Sequence, residues 1–104
     1  MASILVVCTG NVCRSPIAEG MLRSILRSRF GDAAPSVASA GTAGWVGSAA
    51  DPSSIAAAAE LGIDISAHRA RQLEHDLVTA ASLVLAMASE HRDAAFRLVW
   101  KCRS

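Results

Sequence analysis

The chain has 104 residues, 52% of them apolar, and a formal net charge of +1. This predicts a single domain over residues 1–104 with no general attraction to nucleic acid. The sequence contains no run of about 20 apolar residues, so no membrane span is predicted. Three cysteines without a secretion signal favour reduced thiols in the cytoplasm.

The N-terminal segment predicts a strand, a loop and a helix. An apolar run from Ile4 to Val7 indicates a short buried strand over residues 3–7. The pair Ser15-Pro16 is typical of a helix start, with Ser15 as the capping residue and the helix extending to about Arg29. Glu19 and Arg23 are four residues apart and are predicted to pair on its solvent face.

The loop between this strand and this helix begins with Cys8 and ends with Arg14. A loop that enters a helix N-terminus directs backbone N–H groups at one point and attracts an anion there. Arg14 can bind two phosphate oxygens, and a thiolate at Cys8 is a nucleophile aimed at phosphorus. The pattern predicts Cys8 and Arg14 as catalytic residues. The alternative is a buried structural cysteine and an arginine that caps a helix or pairs with a carboxylate.

The rest of the chain alternates strands and helices, which predicts an α/β three-layer sandwich with a short parallel sheet and helices on both faces. The loop then lies at the carboxyl end of the first strand, where such sheets bind ligands. The predicted later elements are a strand over 36–39, a helix from Asp51 to Leu61, a helix or turn over 77–81, a central strand over 83–87 and a helix from Ser89.

The sequence Cys8-Thr9-Gly10-Asn11-Val12-Cys13-Arg14-Ser15-Pro16 resembles the active-site loop of low-molecular-weight protein tyrosine phosphatases. The resemblance covers nearly the whole chain and implies a phosphotyrosine phosphatase I-like fold. It also implies cofactor-free hydrolysis of a phosphotyrosine protein or a small aryl phosphate through a phosphocysteine intermediate. Further segments in the family's order are Ser39-Ala40-Gly41-Thr42, Gly44-Trp45, Asp51-Pro52, Gly62-Ile63, His68-Arg69-Ala70-Arg71-Gln72-Leu73 and Leu83-Val84-Leu85-Ala86-Met87.

The resemblance also assigns supporting roles. A lone tryptophan in a small-residue loop more often packs on the core, but the resemblance implies that Trp45 lines the site entrance. The phosphate-binding residues that the resemblance implies are Thr9, Gly10, Asn11, Val12, Cys13, Arg14 and Ser15. The residues expected to hold the loop open are Asn11, Ser15, Ser39 and His68. No metal site is predicted, because Cys8 and Cys13 lack zinc-ligand spacing.

The family's general acid is an aspartate in an Asp-Pro loop that falls beyond the last residue of this sequence. We therefore expect a C-terminally shortened domain with impaired turnover. The pair Asp51-Pro52 matches a helix start in the family and is not expected to replace that acid. The last strand is expected to expose an edge that favours homodimerisation.

Two other functions remain open from the sequence. The chain would be a phosphate or phosphotyrosine binding module if turnover is negligible without the acid. A thiol-linked arsenate reductase needs two further cysteines after the third strand, where only Cys102 lies. Cys13 is either a small loop residue or a partner for Cys8 in a reversible disulfide.

Overall fold

The computed structural model describes the backbone of residues 2–103 and the side chains of residues 2–99, so the side chain of Cys102 lies outside the described part. No helix in this described part is long and apolar enough to cross a bilayer. The elements in chain order are β1 (Ser3–Cys8), α1 (Arg14–Phe30), a 3-10 turn (Gly31–Ala33), β2 (Ser36–Gly41), α2 (Pro52–Glu60), α3 (His75–Ala80), β3 (Leu83–Ala86) and α4 (Ser89–Arg103).

The strands form a parallel sheet in the order β2-β1-β3, with β1 in the centre. Leu5 and Val7 of β1 pack in a core cluster with residues of α3 and α4, whereas α1 packs on β1 and β2. Val6, which points to the opposite face from its neighbours in the strand, is 1% exposed. The predicted α/β fold with helices on both faces of a parallel sheet is confirmed.

The prediction that residues 83–87 form the central strand is wrong. Within residues 2–103, β3 pairs with β1 alone and lies at the edge of the sheet. Its Leu83 and Leu85 are 50% and 37% exposed. An apolar run indicates a strand, but its position in the sheet depends on which other strands lie beside it.

The prediction that Ser15 caps α1 is also wrong. The helix begins at Arg14, and the capping position is Cys13, whose side chain makes no capping hydrogen bond. Ser15 is fully buried, and its hydroxyl is engaged by Cys8 and Asn11. The Ser15 hydroxyl therefore takes part in tertiary hydrogen bonds and does not form the helix cap that the local sequence pattern predicts.

The second helix agrees with its predicted start and end. Asp51 accepts a hydrogen bond from the backbone N–H of Ser53 at 3.1 Å, and Pro52 is the first helical residue. Gly62 follows the helix with φ of +77°, a left-handed conformation that favours glycine. These ends are set by short-range chemistry, which explains why the sequence predicts them well.

Candidate active site

The Cys–Arg loop, defined as residues 8–14, leaves the carboxyl end of β1 and enters α1. Its first residue, Cys8, is 4% exposed. The Asn11 backbone N–H donates to the Cys8 sulfur at 3.3 Å, and the Ser15 hydroxyl oxygen lies 2.8 Å from the same sulfur. Because the Ser15 oxygen accepts from the Asn11 side-chain amide at 2.8 Å, its own O–H is available to donate to sulfur. Two donors on sulfur suit a thiolate.

Asn11 organises the interior of the loop. It is fully buried and has φ of +61°, a left-handed conformation that asparagine tolerates better than most residues. Its side-chain N–H groups donate to the hydroxyls of Ser15 and Ser39, and its side-chain oxygen accepts from the backbone N–H of Arg71 at 2.9 Å. His68 Nε2–H donates to the Asn11 carbonyl at 2.8 Å. The structure thus brings together the predicted support residues Asn11, Ser15, Ser39 and His68.

Glu19 also belongs to this hydrogen-bond network. Its contact with Ser39 was not predicted from the sequence. The Ser39 hydroxyl donates to the Glu19 carboxylate at 2.5 Å. Arg23 pairs with Glu19 at 2.8 Å, as predicted, and also donates to the Val37 carbonyl at 2.6 Å. Only 14% of the Glu19 side chain is exposed, so it faces the β2 strand instead of water.

The backbone carbonyls of residues 8–12 all point away from the loop centre. Each accepts a hydrogen bond from a surrounding group; the donors are the N–H groups of Thr42, Ala43, Trp45 and Asp51 and the His68 ring. In a trans peptide the N–H of the next residue points opposite to the carbonyl, and the described chain has no cis peptide. The N–H groups of residues 9–13 therefore face inward, toward one point.

The side chains at the rim of the loop are open to solvent. Arg14 is exposed and makes no hydrogen bond or ion pair with another described side chain. Cys13 is also exposed, whereas the neighbouring Val12 is buried. Trp45 is 65% exposed, and its indole lies 3.8 Å from the position of a Cβ on Gly10. The predicted entrance residue therefore stands beside the loop and does not pack into the core.

A second contact holds the loop from α4, and sequence reasoning missed it. His91, in the first turn of α4, is 1% exposed. Its Nε2 lies 2.9 Å from the hydroxyl of Thr9. The sequence offers one indication of this contact, a histidine that closely follows the apolar run of β3. The structure shows that β3 pairs with β1.

Two further residues complete the wall around the loop. A Cβ on Gly41 would lie 2.3 Å from the carbonyl oxygen of Thr9, so only glycine fits there. The Gln72 side chain accepts from the Gly44 N–H at 2.8 Å and donates to the Thr42 carbonyl at 2.9 Å. These contacts hold the segment after β2 in the position where its N–H groups reach the loop carbonyls.

No carboxylate in the part of the chain that the structure describes is hydrogen bonded to the Cys–Arg loop, although the backbone N–H of Asp51 donates to the Val12 carbonyl. Asp51 accepts from the hydroxyl and the N–H of Ser53, and these hydrogen bonds hold the pKa of its carboxyl below the usual 3.8. An ionised cap of this kind cannot supply a proton near neutral pH. The described residues also contain no group of three or more histidine, cysteine or acidic side chains placed to hold a metal ion.

Fold and loop together define an α/β domain with a Cys-x5-Arg loop at the carboxyl end of its central strand. A family model described as "Low molecular weight phosphotyrosine protein phosphatase" matches residues 3–104. The chain belongs to this family.

Named relatives agree with this assignment. The probable low molecular weight protein-tyrosine-phosphatase EpsP of Ralstonia solanacearum is 47% identical over 90 residues, which are 86% of this chain and 58% of EpsP. The crystal structure of Erwinia amylovora tyrosine phosphatase AmsI has a TM-score of 0.86 at 38% identity, covering 99% of this chain and 65% of AmsI. Vibrio vulnificus Wzb, solved in complex with benzylphosphonate, has a TM-score of 0.85 at 34% identity, covering 98% of this chain and 68% of Wzb. The chain thus spans little more than half of its relative EpsP.

Proposed function

We propose that this chain hydrolyses phosphotyrosine, in a protein or as a small aryl phosphate, through a phosphocysteine at Cys8. The observation that carries the proposal is the outward orientation of the carbonyls of residues 8–12. It leaves the N–H groups of residues 9–13 facing the inside of the loop, and we propose that the exposed Arg14 side chain closes over an anion bound there. A bound phosphate dianion fits this arrangement of donors. The benzylphosphonate bound by the similar Wzb supports an aryl phosphate as the ligand class.

In the first step, the Cys8 thiolate attacks phosphorus in line with the departing aryl oxygen. A sulfur–phosphorus bond forms while the bond between phosphorus and the aryl oxygen breaks, and the phenolate takes a proton from an acid or from water. Negative charge on the equatorial oxygens is held by the N–H groups of residues 9–13 and by Arg14. Donors placed before the reaction stabilise such charge most effectively.

In the second step, water attacks phosphorus, the bond to sulfur breaks, and phosphate leaves. The sulfur departs as a thiolate, and it recovers the hydrogen bonds from the Asn11 N–H and the Ser15 hydroxyl that surround it in the resting site. We propose that the network of Asn11, Ser15, Ser39 and His68 serves to keep these donors in place. Trp45 is proposed to stack against the aryl ring at the entrance.

Turnover by residues 1–104 is proposed to depend on the leaving group. No described carboxylate is hydrogen bonded to the Cys–Arg loop, and the family's general acid belongs to a later part of the fold. Loss of a general acid costs about 10²- to 10⁴-fold for a poor leaving group. The second candidate function is the capture of phosphate or phosphotyrosine by the same loop without turnover.

The relatives reported above are named as phosphatases, which favours both proposals over an arsenate reductase. Free thiols at both Cys8 and Cys13 suit a reducing compartment, so we propose that the protein works in the cytoplasm.

The deciding experiment compares p-nitrophenyl phosphate with phenyl phosphate, using Cys8→Ser as the blank. Turnover of the nitrophenyl ester alone supports the phosphatase proposal and the need for an acid from outside these residues. Turnover of both esters shows that a proton donor is present. If neither ester reacts while inorganic phosphate still protects Cys8 from alkylation, the binding module is correct. If phosphate gives no protection, both proposals are wrong.

A further inference from the structure

One buried histidine contacts the Cys–Arg loop but takes no part in the proposed chemistry. His91 Nε2 lies 2.9 Å from the Thr9 hydroxyl, and the ring is 1% exposed. The other loop supports come from α1, from β2 with the segment that follows it, and from residues 68–71, whereas His91 comes from α4, which packs on β3 and β1. It therefore anchors the loop to a separate part of the fold.

The surroundings of the ring indicate which nitrogen carries the proton. Nδ1 is buried and has no hydrogen-bond partner in the described part of the chain. A buried N–H without a partner is rarer in proteins than an unfilled lone pair. The Glu90 carboxylate lies 3.7 Å from Nε2 and also favours a proton there. His91 is thus assigned as the donor and the Thr9 hydroxyl as the acceptor.

This hydrogen bond fixes a residue that is otherwise held only by its backbone. The carbonyls of Cys8 and Thr9 accept from the N–H groups of Thr42 and Ala43, both at 2.9 Å. The exposed side chain of Thr9 has the His91 ring as its hydrogen-bond partner. The peptide planes on both sides of Thr9 and its side chain are therefore all held by hydrogen bonds. The backbone N–H groups of Thr9 and Gly10, which belong to these two planes, are then fixed in one orientation.

We propose that His91 is a positioning residue that aims the N–H groups of Thr9 and Gly10 at the bound phosphate. This inference rests on the proposed function. Packing alone does not explain the residue, because a buried ring nitrogen without a partner lowers stability relative to an apolar side chain of similar size. The histidine is therefore expected to favour phosphate binding at some cost to the stability of the fold.

The test measures the Kd of inorganic phosphate from its protection of Cys8 against iodoacetamide, together with urea unfolding. His91→Leu and Thr9→Val are each expected to raise this Kd about five- to tenfold, the value of one hydrogen bond. His91→Gln, which retains a side-chain N–H, is expected to recover most of the loss. His75→Leu is the matched control, because His75 lies on α3 and pairs with its neighbour Asp76.

The double variant separates a positioning role from a general loss of structure. If His91 acts through Thr9, His91→Leu adds nothing to the Kd in the Thr9→Val background, and the urea midpoint of His91→Leu does not fall. Additive effects overturn the inference, as does a His91→Leu Kd equal to that of the wild type.

Two further outcomes keep the test decisive. If His91→Leu does not fold, Thr9→Val decides: an unchanged Kd overturns the inference, and a raised Kd that Thr9→Ser recovers supports it. If phosphate fails to protect the wild-type protein, the proposed function is wrong and the inference falls with it. Protection of the wild type with no change in either variant refutes the inference alone.

Discussion

A substitution at Gly41 tests whether the Cys–Arg loop can be displaced without loss of activity. It is the last residue of β2 and is buried against the back of the loop. A Cβ at this position would lie 2.3 Å from the Thr9 carbonyl oxygen and 3.0 Å from both the Asn11 nitrogen and the Gly10 carbonyl carbon. All of these are backbone atoms, so no side-chain rotation relieves the contact in Gly41→Ala. The loop itself has to move.

The size of the movement follows from these distances. An ordinary contact begins at 3.4 Å, so the 2.3 Å approach requires a shift of about 1 Å in the loop or the strand. Misplacement of catalytic groups by about 1 Å costs on the order of 10²-fold in rate. Overpacking of this kind costs about 1–3 kcal/mol in stability. Both effects are expected in the same variant.

The assay measures kcat/KM for p-nitrophenyl phosphate, the Kd of inorganic phosphate and the free energy of unfolding in urea. The control is Gly62→Ala, at a φ of +77° with no neighbour within 4 Å, where an alanine costs about 1–2 kcal/mol through backbone strain. The control is expected to lose stability and keep activity, whereas Gly41→Ala loses both. A Gly41→Ala protein with wild-type kcat/KM and Kd would refute the reasoning.

Four other measurements test separate parts of the structure. Asp51→Ala is expected to lower the urea midpoint at pH 7. The capping hydrogen bonds hold the pKa of Asp51 in the folded protein below 3.8. The difference in midpoint between the wild type and the variant is therefore expected to shrink as the pH falls below 3.8 and through the folded-state pKa. Ser39→Ala leaves a buried loop amide N–H unpaired and is expected to cost about 1–3 kcal/mol in urea unfolding, while an unchanged midpoint contradicts the network. The wild type is expected to dimerise through the edge of β3 in sedimentation velocity, and Leu85→Lys, at an exposed edge residue, is expected to abolish the dimer. Mild peroxide is expected to form a Cys8–Cys13 disulfide detectable by mass spectrometry; sulfonic acid at Cys8 without a disulfide argues against it.

The sequence predicts the loop because its determinants are contiguous. A strand, the residues from Cys8 to Arg14 and a helix start follow one another, and each is recognisable within a few positions. The same short-range chemistry predicts the Asp51 cap and the glycine at the end of α2. Where local pattern failed, a distant partner was responsible. Ser15 resembles a helix cap, but the Cys8 sulfur and the Asn11 amide engage its hydroxyl.

The missed residues share another property. His91 contacts Thr9 across 82 positions in the chain, and Gly41 meets the loop only because β1 and β2 pair in parallel. Their roles depend on the sheet register, which a single sequence does not reveal. The edge position of β3 was missed for the same reason, since exposure of a strand is a property of the assembled sheet.

The long separations between the loop and its supports also determine when the anion site comes into existence. Ser39, His68, Arg71 and His91 reach the loop across 28, 57, 60 and 82 residues. During synthesis, the thiol of Cys8 leaves the ribosome well before most of these partners exist. Closing such long segments is slow and entropically unfavourable. The proposed nucleophile is therefore among the first groups made, and the pocket around it forms only after these distant segments have been synthesised. On the proposed function, affinity for phosphate appears only once these long-range contacts are in place.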